Sequence, residues 1–136
     1  MANTEEIKLN VSDVVNFMRI SGAFSSALKE VTRRKIAVDE AKSRGLSVSD
    51  EDLQKSADLF RQIQNLPTAE ATDGWLAGRG LTLDVLENYL EENALIFELK
   101  RQLVAAYDKE SYFSNLQRRN ALMETAYEEF IAKAAE

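Results

Sequence analysis

The stretch Ala41–Leu53, AKSRGLSVSDEDL, decides the fold. Gly45 sits where a helix would stop, because glycine enters the left-handed conformation of a helix C-terminus without steric cost. Four residues on, Ser49 precedes Asp50, Glu51 and Asp52. A serine hydroxyl accepts a first-turn N–H, and carboxylates are favoured at the positive end of the helix dipole. A chain that ends one helix and caps the next this quickly has no room for a strand. Leu46 and Val48 are left to pin the corner to a core. The corner predicts an all-α protein.

The same grammar extends in both directions. Upstream, Phe24, Leu28, Val31, Val38 and Ala41 fall near one stripe of a helix from Ala23 to Arg44. Before it, Ser12 is expected to cap a short helix holding Val14, Val15, Phe17 and Met18, interrupted or ended by Gly22. Downstream, Leu53, Ala57, Phe60 and Ile63 form one face. In NLPTAEATDGWLAGRG, residues 65–80, Pro67 and Thr68 precede a short helix containing Trp75 and Leu76, and Gly80 ends it. Thr82 then caps a long helix. Leu86, Leu90, Phe97 and Val104 lie on one of its stripes, with Val85, Tyr89, Ile96, Leu99 and Leu103 beside it, a width that requires contacts on more than one side. A last amphipathic segment, about 110–134, presents Phe113, Leu116, Met123, Tyr127, Phe130 and Ile131. The expectation is a single domain, 1–136, built as a bundle of about five helices.

Composition sets the limits of function. With 45% hydrophobic and 29% charged residues, 136 residues suffice for one folded core and differ from a disordered chain. There is no Cys and no His. Disulfides, thiolate nucleophiles, zinc-thiolate sites, Ser-His or Cys-His bases and His-ligated metal centres are thereby excluded, so neither a metal nor a cofactor is expected. Seventeen basic against 23 acidic residues, net −6, repel a phosphate backbone and argue against nucleic acid as a partner. The start, MANTEEIKLNVSD, places acids where an export signal needs bases, and no apolar run approaches the roughly 20 residues that span a bilayer. The expected setting is the cytoplasm, with no membrane partner.

Residues 31–104 resemble the helical N-terminal chaperone domain of SurA-type and PrsA-type peptidyl-prolyl isomerases. The resemblance rests on EAKSRGLSVSDEDL, then a helix with Phe60, then TAEATDGWLAGRGLTLDVL, then YLEENALIFELKRQL. Ala41, Gly45, Val48, Ser49, Asp50, Gly80, Leu81, Thr82 and Leu86 carry it by their spacing. It implies a helical cradle that binds extended or unfolded polypeptide through apolar surface. The family's β-rich parvulin module is not implied. Only 32 residues follow Val104 and no histidine is present, so isomerase activity, and enzymatic activity generally, is not expected.

Phe60, Trp75, Leu86, Tyr89 and Phe97 are the candidates for lining a peptide groove, since aromatic faces supply contact area at low entropic cost. They equally suit the core of a small bundle. Phe113, Leu116, Met123, Tyr127 and Phe130 are candidates for docking the last helix, either on its own scaffold or on a second chain in a homodimer. TRRK, Thr32–Lys35, is either an anion grip or a solvated face. Glu87, Glu91 and Glu92 have the spacing of half a carboxylate metal site, but no His completes it, and a solvated face explains them better. GWLAGRG, Gly74–Gly80, follows no strand and lacks Gly-Lys-Ser/Thr, so it reads as close packing and a helix end, not a phosphate loop. Two functions fit: a module holding unfolded or extended polypeptide, or a homodimeric scaffold for one specific protein partner.

Overall fold

The protein is described from a computed structural model covering residues 10–105 and 116–135. Among these residues every regular element is a helix: α1 Val11–Ser21, α2 Ala23–Ser43, α3 Asp50–Ile63, α4 Ala69–Gly78, α5 Leu83–Ala105 and α6 Leu116–Ala134. Six are described where about five were expected, and Gly22, at φ 85°, divides α1 from α2. The cap of α1 also differs from expectation. The Asn10 side chain, not Ser12, accepts the Asp13 N–H at 2.9 Å, so the helix starts earlier and Ser12 lies inside its first turn.

Three helix ends share one construction. After α2, the N–H of Leu46 donates to Ala41 O and that of Gly45 to Lys42 O, both at 3.0 Å, with Gly45 at φ 74°. After α4, Leu81 donates to Leu76 O at 2.9 Å and Gly80, at φ 65°, to Ala77 O at 3.2 Å. After α3, Leu66 donates to Arg61 O at 2.8 Å and Asn65, at φ 55°, to Gln62 O at 3.2 Å. This paired closure satisfies carbonyls that a helix end would otherwise leave open, and each time a leucine follows the left-handed residue. Each following helix opens on a side-chain cap: Ser49 Oγ accepts from Asp52 N, Thr68 Oγ1 from Ala71 N and Thr82 Oγ1 from Val85 N.

Glycines in the two settings respond oppositely to a methyl group. A Cβ at Gly45 meets nothing within 4 Å, so Gly45→Ala costs only the left-handed backbone, about 1–2 kcal/mol. Gly74 lies inside α4 with equally open space and no positive φ, so Gly74→Ala is expected to stabilise by about 0.5–1 kcal/mol. Urea unfolding of the two variants checks the opposite signs.

The chain groups into two compact units, Met1–Lys35 and Ile36–Glu136. In the first, α1 buries none of its residues. The second holds the core, in three connected regions along α5. Leu95, Ile96 and Leu99 pack with Ala37, Val38 and Ala41 of α2 and with Tyr127 and Ile131 of α6. Leu86 and Leu90 pack with Leu76 of α4, backed by Leu53, Ala57 and Phe60 of α3. Val104 packs with Met123 and Ala126. Lys100 spans α5 and α6, 2.7 Å from Glu124 and 4.7 Å above the Tyr127 ring. Among the described residues, no helix is long and apolar enough to cross a membrane.

Candidate polypeptide-binding site

The corner at Gly45 and the turn at Gly80 deliver α3 and α5 side by side, and a groove of about 310 Å³ runs between them. Its walls and floor include Leu53, Ala57 and Phe60 from α3 and Leu83, Leu86 and Leu90 from α5. Leu86 and Leu90 are buried at the bottom, while Leu83 is 51% exposed at the lip. The rim is polar: Asp50, Gln54, Arg61 and Glu87. Arg61 is committed to Asp58, with which it makes a short ion pair, and Gln54 Nε2 donates to the same carboxylate at 3.0 Å. Hydrogen bonds from Arg61, then from Gln54, hold the exposed Asp58 carboxyl below its ordinary range. Asp50 and Glu87 add two further carboxylates to that rim.

Phe60 is positioned from behind. Its ring meets Trp75 edge to face, centroids 5.4 Å apart at 85°. The Arg79 guanidinium covers the indole at 4.1 Å, and Arg79 Nη1 donates to Trp75 O at 3.3 Å. Trp75 is half-buried and lies behind the groove wall, not on it.

The five residues expected to share one groove are therefore divided. Phe60 and Leu86 line it; Trp75 supports it. Tyr89 and Phe97 are 45% and 53% exposed and line no part of it. Phe97 belongs to a second depression of about 410 Å³ on the opposite flank of α3, beside Val48, Leu59 and Ala94. The reason is rotational. The side of α5 bearing Leu95, Ile96 and Leu99 is taken by α2 and α6, which turns Phe97 outward. Leu53, Ala57, Leu83 and Leu90 were not among the candidates. Periodicity placed three of them on apolar faces without showing that those faces meet.

Of the docking candidates, Met123 and Tyr127 are buried and Phe130 is half-buried, on the face of α6 that packs against α5. Phe113 lies outside the described residues, as does the side chain of Leu116. Ile63, expected on the α3 face, is 70% exposed at the end of that helix, and Leu66 is buried just beyond it. Among the described residues no group of three or more acidic side chains is arranged to hold a metal ion.

Comparison with family models found no match to this chain, and comparison with curated proteins and with solved structures found none either.

Proposed function

We propose that the protein is a non-catalytic polypeptide-binding module, chaperone-like or an adaptor, of the kind that the N-terminal chaperone domain of SurA-type isomerases represents. The observation that carries this reading is the groove between α3 and α5: an apolar floor, open to solvent, with carboxylates at its edge. Burial of apolar side chains drives occupancy at about 25 cal/mol per Å², less the cost of ordering the incoming segment. Residues 50–92 carry ten acidic and three basic side chains, net −7, so the preferred segment is apolar with flanking Lys or Arg.

The test is binding of labelled peptides of that composition, with acid-flanked peptides of the same apolar sequence as controls. Leu83→Asp introduces a charge at the groove lip in the first turn of α5, where a carboxylate suits the helix dipole and stability should change by less than about 0.5 kcal/mol. Binding should weaken at least about tenfold, the loss of one buried leucine contact. Equal binding to both proteins, or none by the unmodified chain, would sink the proposal.

A further inference from the structure

The first unit presents a contradiction as it stands. α1 has 11 residues and buries none, with Val11 77%, Phe17 71% and Ile20 88% exposed. A helix this short without a covered face does not persist in water. Leu28 and Val31 continue the exposed apolar run along α2. Something must cover these residues.

Charge identifies the cover. Residues 10–35 carry five basic and two acidic side chains, net +3, against net −7 for residues 50–92. Pairing two such arms on each other sets like charges together, whereas placing the arm on α3 and α5 sets opposite charges together. Length agrees. Val14, Phe17 and Ile20 mark an exposed face of α1 six steps long, about 9 Å at 1.5 Å per residue. The groove walls, Leu53 to Phe60 and Leu83 to Leu90, run seven steps each, about 10 Å. The composition of the arm, an apolar helix followed by Arg33, Arg34 and Lys35, is also the one the groove is proposed to select.

Resting on the groove reading above, we propose that the groove between α3 and α5 is occupied by α1 of a second copy of this chain, and that the exchange is reciprocal. A reciprocal exchange closes as a twofold dimer and leaves neither groove empty. A foreign polypeptide then binds by displacing the partner's arm, so holding a client and dissociating the dimer are one equilibrium.

The chain has no cysteine, which allows a direct test. One preparation carries Val14→Cys and another Leu83→Cys; they are mixed, allowed to exchange and oxidised. The expected product is the mixed disulfide, in excess of either self-pair. The unmodified protein should run as a dimer whose dissociation constant rises several-fold between about 50 and about 500 mM NaCl, as screening removes the attraction. Val14→Cys self-pairs as the main product would show arms on arms and overturn the proposal. So would a monomeric mass at every concentration, or an intrachain disulfide in the doubly substituted chain without mixed dimers. The groove reading fails separately. A mixed disulfide with no foreign peptide able to compete supports the exchange and rejects the holding function, while peptide binding to a monomer does the reverse.

Discussion

Replacing Leu99 with alanine is expected to cost about 3–4 kcal/mol, lowering the unfolding temperature by on the order of 10 °C. Leu99 is completely buried where α2, α5 and α6 meet. Its neighbours across the seam include Ala37 and Ala41, both completely buried, whose small side chains let α2 lie close to α5. Two alanines have no side-chain freedom with which to refill the space, so the cavity stays open and the cost falls in the upper part of the usual range for such a change. Phe97, two residues earlier on the same helix, is the control. It is the larger side chain, but at 53% exposure its truncation should cost no more than about 1 kcal/mol. Urea titration followed by circular dichroism separates the two. Equal losses would mean that α5 turns Phe97, and not only Leu99, toward the core.

That contrast also shows where sequence periodicity stopped. It placed Phe97 and Val104 on one stripe of α5, but Val104 is buried against α6 and Phe97 faces solvent. A helix contacted from two directions has two seams, and a single stripe averages them. Helix ends were more legible, because their chemistry is local. Gly45, Ser49, Gly80, Thr68 and Thr82 act as their residue types require. Asn65 was missed because only glycines were read as left-handed stops, yet asparagine tolerates that conformation too, and Leu66 and Pro67 after it complete the signal. Asn10 and Ser12 are both good capping residues two positions apart. Their order of preference is too close for sequence to decide which of them caps the helix.

The groove was half legible for a related reason. Leu53, Ala57 and Phe60 on one helix and Leu86 and Leu90 on another were each readable as apolar faces. That these faces meet with a gap between them depends on the length of two corners, and on α4 standing behind Phe60 to hold it there. Single-helix patterns contain neither fact. Leu83 was within reach, since it precedes Leu86 and Leu90 by three and seven positions on the same helix face, but that stripe was begun at Leu86.

Trp75→Ala is expected to destabilise the protein by about 2–3 kcal/mol, less than a fully buried indole because Trp75 is only half-buried. The change removes the ring against which Phe60 stands edge-on, worth about 0.5–1.5 kcal/mol beyond area, and leaves the Arg79 guanidinium without its aromatic face. The first loss falls between α3 and α4, the second within the C-terminal end of α4. The consequence for function is indirect: Phe60 keeps its place on the groove wall only while Trp75 fills the space behind it, so peptide affinity should fall about tenfold through loss of preorganisation. Trp75→Phe retains an aromatic ring beside Phe60 and should recover most of the affinity and more than half of the stability. Because the native fluorophore is lost, binding is read from the anisotropy of a labelled peptide, and stability from circular dichroism. Coordinated loss and coordinated recovery place Trp75 behind the wall. A Trp75→Ala protein of undiminished stability that no longer binds would instead put the indole in contact with the peptide, and the groove would have to be redrawn to include it.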